Sequence, residues 1–217
     1  MMEIDLHIHS RRYSGCSNID PAQLIDRARQ AGLDGIALTE HGIRWPDEEI
    51  ERLQAASGFP DFLVIPGQEV ACYSFYGHFE GEFLVFGYPA SLGSNKSIGT
   101  ILEMVHASGG VVAAAHPFKK QPHGGYYGAG DTTGELAIDA LEVEHPSYDP
   151  ESRKKARAVM QASGIAGLGC SDAHELRQVG VCRTRFDRFV GSTADLCREI
   201  RAGRLEAVNT AFQHQNP

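Results

Sequence analysis

Apolar and polar positions along the chain follow two periods that take turns. From Glu3 to His9 the pattern alternates, as in a strand whose two faces differ. Asp34 to Thr39 is a continuous apolar run of strand length, fitting a strand covered on both faces. Further strands are predicted over 62–65, 82–87, 111–115, 139–144, 165–169 and 179–186. Helical periods lie between them. Asp20-Pro21 opens the first as N-cap and first-turn proline, Leu24, Ile25 and Ala28 share a face, and Gly32 stops it. Pro46-Asp47 opens the second, which carries Ile50 and Leu53 inward and ends near Gly58. Ile101, Leu102 and Val105 set the register of a third over 97–108, closed by Gly109-Gly110. Helices over 150–163 and 193–202 follow. Residues 73–81 read as a turn or hairpin. The stretch 118–134, with five glycines and no period, reads as a long loop of the kind that is functional or mobile. No repeat or linker-like stretch divides the chain, so one domain over 1–217 is expected.

Strands alternating with helices predict a parallel sheet with helices outside. Residues able to hold a metal recur where the predicted strands end: His7 and His9, Glu40-His41, Glu69, His116, then Asp172 and His174. In a strand, His7 and His9 point the same way, about 6.6 Å apart, with Leu6 and Ile8 on the other face. An open doubly wound sheet gathers ligands only at its switch point. Groups from five or more strand ends converge more naturally at the mouth of a closed β/α barrel.

Composition narrows the function. Of 217 residues, 42% are apolar and 22% charged, ordinary for a soluble globular protein, and the net charge is −8. An acidic surface argues against stable binding of long nucleic acid, which needs a basic face. Five cysteines without CxxC pairs do not form a disulfide framework. With no apolar signal-peptide core and no run of about 20 apolar residues, the expectation is a cytoplasmic protein without membrane contact.

IDLHIHS, ALTEH, PGQE, AHPF and CSDAH, in this order and each beside a predicted strand, resemble the PHP (polymerase and histidinol phosphatase) domain superfamily, and within it the short stand-alone metal-dependent phosphoesterases. The resemblance implies a distorted seven-stranded, TIM-like β/α barrel with two or three divalent metal ions at its C-terminal mouth. Carried over position by position, His7 and His9 hold a first ion with Glu69 and Asp172. Glu69 bridges to a second ion shared with His116, and His41 and His174 face a third site or the leaving group. Catalytic roles then fall to His41, Asp172 and His174. Three positions depart from the family's pattern. Glu40 stands where the family has Asp, one methylene shorter. The second-ion ligand that many members carry as His in a GHLLVFG-like strand is matched here by Glu82, with His78 four residues earlier, and His78 is the favoured candidate. Cys16 falls near an extra ligand of three-metal members, as a soft donor or a structural thiol.

Mixed imidazole and carboxylate donors suit Mn, Fe or Zn. Two such ions about 3.5–4 Å apart can activate water and clamp the oxygens of an in-line displacement. The expected activity is hydrolysis of a small phosphate monoester (a nucleotide, or a sugar or amino-alcohol phosphate) by attack of a metal-bound hydroxide. The expected partner is that small phosphorylated substrate, and the oligomeric state is left open. Lys119, where family members often have Arg, is the first candidate for the phosphate, with Arg11, Arg12 and Arg177 beside the metal motifs. Glu142 and His145 are candidates to orient metal-bound imidazoles. Trp45 reads as pocket wall or core. His106 and His214 read as bystanders, and His123 as a possible substrate contact. Two alternatives share the sequence pattern: a 3′–5′ exonuclease-type phosphodiesterase, and a non-catalytic PHP module stabilised by its metals.

Overall fold

The computed structural model describes residues 1–210, so His214 lies outside the described residues. Among the described residues, nine strands form one sheet in the order β7-β6-β5-β4-β3-β2-β1-β8-β9. They are β1 Met2–Ile8, β2 Gly35–Leu38, β3 Leu63–Tyr73, β4 Phe79–Phe86, β5 Val111–Ala114, β6 Ala140–Glu144, β7 Ala166–Gly169, β8 Cys182–Phe186 and β9 Leu205–Asn209. Only β4 and β8 run against the common direction. The helices α1 Pro21–Gln30, α2 Asp47–Ser57, α3 Ile98–Ala107, α4 Pro150–Ser163 and α5 Thr193–Arg201 lie between strands. Side chains of Asp20, Ser97, Asp149 and Ser192 cap the first turns of α1, α3, α4 and α5.

The sheet is barrel-shaped and nearly closed. Its nine strands correct the expected seven: β1 to β7 make the wall, and β8 and β9 extend it from β1 toward β7. There Thr184 Oγ1 accepts from Gly169 N (3.1 Å) and donates to Gly169 O (3.0 Å). At the mouth the chain after β7 pairs directly with β1. His9 N donates to Ala173 O (3.0 Å) and Ala173 N to His7 O (3.3 Å). That seam sets Asp172 and His174 beside His7 and His9.

One apolar cluster draws side chains from β1 through β8 and so fills the barrel: Ile4, Leu6, Ala37, Ile65, Leu84, Phe86, Ala113, Ala140, Leu168 and Phe186, closed below by Leu196 and Ile200 of α5. Two outer clusters seat α1 and α2, and α3 and α4, against the sheet. Leu6 belongs to the inner cluster and Ile8 to an outer one, which corrects the expectation that they share a face. The cause is one extra residue in β1: Asp5 pairs with Ile36 but Ile8 with Leu38. Such a bulge re-aims the side chains beyond it. Here it lets His7 and His9 point inward above a core that Ile4 and Leu6 already line.

The strand predicted over 62–65 is longer in the structure: Pro66 to Glu69 lie within β3, which runs on to Tyr73. Gly67 is there because of a close approach, not a turn. A Cβ would lie 2.7 Å from the Phe86 ring.

Candidate metal centre

Several wall strands place a polar residue above the core on the same inward face. Ile65 is followed four residues on by Glu69, and Ala140 two residues on by Glu142. On β4, which runs downward, Glu82 comes two residues before Leu84. His41, His116, His145, Asp172 and His174 stand on the exits of β2, β5, β6 and β7. His116 (φ 26°) and Asp172 (φ 50°) have positive φ, which is uncommon and costly for residues other than glycine and concentrates at functional sites. Glu142 Oε2 accepts from His116 N (2.6 Å) and so pins the first of them. The second is flanked by Ser171, whose N–H donates to buried Asp5 (3.1 Å). Burial pushes the Asp5 carboxyl up to about 6, against the hydrogen bonds it accepts from Ser171, Gly180 and His7.

The side chains meet at two carboxylates. Glu69 Oε1 lies 3.0 Å from His116 Nε2 and 3.4 Å from His7 Nε2, while Oε2 lies 3.0 Å from His41 Nδ1 and 3.3 Å from His9 Nε2. Asp172 Oδ1 lies 3.5 Å from each of His7 Nε2, His9 Nε2 and His174 Nδ1. Its Oδ2 faces Lys119 Nζ (2.8 Å) and His145 Nε2 (3.4 Å). Glu82 Oε2 is 3.6 Å from His116 Nε2. His7 Nε2 and His9 Nε2 are 2.9 Å apart, and Glu142 Oε1 holds the other nitrogen of His7 at 2.8 Å. Ser14 Oγ lies 3.2 Å from His9 Nδ1.

This donor set fits divalent ions. Ligand atoms about 2.1 Å from a tetrahedral ion are about 3.4 Å from one another. His7, His9, Glu69 and Asp172 present nitrogens and oxygens at that spacing, with Glu69 and Asp172 each reaching both imidazoles. Among the described residues, four groups have all their ligand atoms within 4.8 Å: His7, His9 and Asp172; His7, Glu69 and His116; His41, Glu69 and Glu82; His9, His41 and His174. The charges of these side chains lean on each other. Burial would raise the carboxyls of Glu69, Asp172 and Glu142, but His7 above all holds them below their ordinary values. Burial would likewise lower His7, His9 and His116, yet the carboxylates lift all three. Glu82, half-buried and beside the negative Glu69, is raised. Among the described residues, buried His116 Nδ1 and His145 Nε2 have no hydrogen-bond partner.

Of the residues singled out from sequence, the structure brings together His7, His9, His41, Glu69, His116, Asp172 and His174, with Lys119 against Asp172. Others lie elsewhere. Glu40 is not part of the cluster: its carboxylate accepts from Ser10 N, the hydroxyls of Ser10 and Ser14, and Trp45 Nε1 (2.9 Å). The side chain ends in that hydroxyl nest, with Trp45 buried against it. His78 is exposed on the tight turn between β3 and β4, where its N–H bonds Ser74 Oγ. Because both strands of that hairpin extend beyond the mouth, Glu82 and not His78 is at the centre. Arg11 pairs with Asp20, Arg12 with Glu49 and Arg177 with Glu175. All three arginines are exposed, and none of these carboxylates belongs to the cluster. Cys16 is exposed, its Sγ 3.4 Å from His41 Nε2. His106 pairs with Asp139, and His123 is exposed in the glycine-rich loop. The hydroxyls of Ser10 and Ser14 and the Asp5 anchor escaped sequence reasoning. Nothing in their spacing distinguishes them from loop or strand residues.

The PHP domain family matches residues 5–87, and the PHP-associated family, PHP_C, residues 150–205. Solved structures with this fold include a two-domain protein from Bacteroides vulgatus containing a predicted PHP-like metal-dependent phosphoesterase. It is 19% identical with a TM-score of 0.69, and the match covers 96% of this chain and 64% of that one. An amidohydrolase from Chromobacterium violaceum, with sulfate bound and no metal, is 17% identical (TM-score 0.63, 97% and 99% covered). The lesion-specific endonuclease EndoQ from Pyrococcus furiosus is 21% identical (TM-score 0.61, 95% and 57% covered). At these identities the likeness is one of fold. A comparison with curated proteins returned no match.

Proposed function

The chain belongs to the PHP family, and from that premise we propose that it is a metal-dependent phosphoesterase acting on a small phosphate monoester. The observation that carries this reading is the division of labour at Glu69 and Asp172. Each gives one oxygen to one set of neighbours and its second oxygen to another, as a bridging carboxylate does. Two or three ions of Mn, Fe or Zn held there would acidify water and neutralise phosphoryl oxygens.

The chain's own residues do the rest. Glu142 fixes the His7 ring, leaving its Nε2 free to face inward. Lys119, kept cationic by Asp172 against the effect of burial, puts a positive charge where a phosphoryl oxygen would approach. His174 Nδ1 lies 2.9 Å from the Asp172 carbonyl, so it carries its proton there. Burial, then the charge on His9, lowers its pKa. It is thus a neutral imidazole at the half-open rim, its Nε2 suited to accept a proton as a general base. The sulfate in the Chromobacterium violaceum neighbour, tetrahedral like phosphate, is in keeping with an anion site in this fold.

A second reading, phosphodiester cleavage, draws on the likeness to the Pyrococcus furiosus endonuclease. The net charge of −8 counts against a long polyanionic substrate. The test is phosphate release from nucleotides and sugar phosphates by protein loaded with Mn or Zn, run beside cleavage of short oligonucleotides. Release from monoesters, abolished by chelation, supports the first reading. Oligonucleotide cleavage alone supports the second. Fully loaded protein inert on both panels would leave a metal-stabilised module.

A further inference from the structure

We propose that His145 binds the substrate's phosphoryl group, donating a hydrogen bond from Nε2–H to the same non-bridging oxygen that Lys119 approaches. The inference rests on the phosphoesterase reading and adds a neutral second donor to it.

The tautomer of His145 is set by its neighbour. Ser147 N lies 3.1 Å from Nδ1, and a backbone N–H can only donate, so Nδ1 is the accepting nitrogen. Ser147 Oγ, 2.7 Å from Nδ1, adds a second contact on that side. The proton of the neutral ring is therefore on Nε2. The residue is 2% exposed, and this Nε2–H has no hydrogen-bond partner. A buried donor without an acceptor is rare in folded proteins and points to a group that arrives later. The nearest acceptor is Asp172 Oδ2 at 3.4 Å, beyond the usual N–H···O range, and Lys119 Nζ occupies that oxygen at 2.8 Å. Asp172 turns its other oxygen to His7, His9 and His174. Lys119 and His145 thus converge on one spot on the side of Asp172 away from those imidazoles. An oxygen arriving there meets one cationic and one neutral donor, fixed in place for a transition state whose charge is spread over the equatorial phosphoryl oxygens. No proton leaves His145 in this role.

The test uses protein loaded with Mn, its metal content measured, and inorganic phosphate as the probe in calorimetric titrations. His145→Phe removes the donor and is expected to weaken phosphate binding about 10-fold, with metal content unchanged. His145→Gln returns an N–H near the Nε2 position and should come back to within about 3-fold of wild type. His145→Asn keeps an acceptor for Ser147 N–H but no donor at Nε2; it should behave like the Phe variant and replaces it if that variant does not fold. On any monoester the enzyme hydrolyses, kcat should fall by more than KM rises. The inference is overturned if the Phe or Asn variant binds phosphate as wild type does, if either loses metal, which would make His145 a prop for Asp172, or if Gln does not restore binding. Wild type that binds no phosphate would remove the phosphoesterase reading as well. Wild-type binding that the variants leave untouched removes only the role of His145.

Discussion

Replacing Glu142 with Gln changes no volume and removes one charge, so its effect isolates what the carboxylate does for the centre. Glu142 is fully buried and accepts twice: Oε1 holds His7 Nδ1 at 2.8 Å and Oε2 holds His116 N at 2.6 Å. A glutamine has one accepting oxygen, so one of these donors would face an NH2 group. Each hydrogen bond to a charged acceptor contributes about 1.5–3 kcal/mol, and losing one corresponds to roughly 10- to 150-fold. Part of that loss appears as weaker folding. The rest appears as a His7 ring no longer held with its Nε2 free, and outer partners of this kind typically account for about 10–100-fold in metal affinity. Competition with a chromophoric chelator should show Glu142→Gln binding Zn or Mn about 10–100-fold more weakly than wild type. Affinity within about 2-fold of wild type would refute the claim that Glu142 orients the first imidazole.

Other outcomes follow from the same geometry. Glu40→Ala strips the acceptor from Ser10, Ser14 and Trp45 and should destabilise the protein by about 3 kcal/mol or more in chemical denaturation, while metal stoichiometry stays that of wild type. A lost ion would instead make Glu40 a ligand. Glu82→Ala should lower metal content or affinity, and His78→Ala, on an exposed turn, should change neither; elemental analysis after dialysis separates the two. Metal affinity should rise with pH. His7, His9 and His116 are lifted above the ordinary histidine value of about 6.5, so they hold protons that an ion must displace. For the metal-free protein the sign is opposite. The share of stability these imidazoles supply is complete below about pH 6.5 and fades as pH rises through their raised values. Metal titrations from pH 5.5 to 8 in which affinity stays flat would contradict the first statement.

Much of the site was legible because ligand chemistry and strand period coincide. His7 and His9 are two apart, and Glu69, His116 and Asp172 follow or sit on recognisable apolar runs. What stayed hidden depended on pairing between distant strands. Gly67 looks like an exit from β3 until the Phe86 ring is seen against it. The length of the β3–β4 hairpin, which decides between His78 and Glu82, is set by cross-strand register from Gly67 opposite Phe86 to Tyr73 opposite Phe79. The bulge in β1 leaves no mark in the alternation of Leu6 and Ile8. β9, over Leu205–Asn209, has one buried residue in five, too weak a pattern to read without β8 beside it. Glu40 looked like a longer Asp in a ligand position, and only the two serines and Trp45 around it show where its side chain ends.

The most direct test is a crystal of the protein grown with Zn or Mn, with diffraction data collected at the metal's absorption edge. Anomalous peaks are expected about 2.0–2.3 Å from His7 Nε2, His9 Nε2 and Asp172, and again between Glu69 and His116. Peaks only at surface residues, or a loaded crystal with none between Glu69 and Asp172, would contradict the metal centre and the hydrolysis built on it.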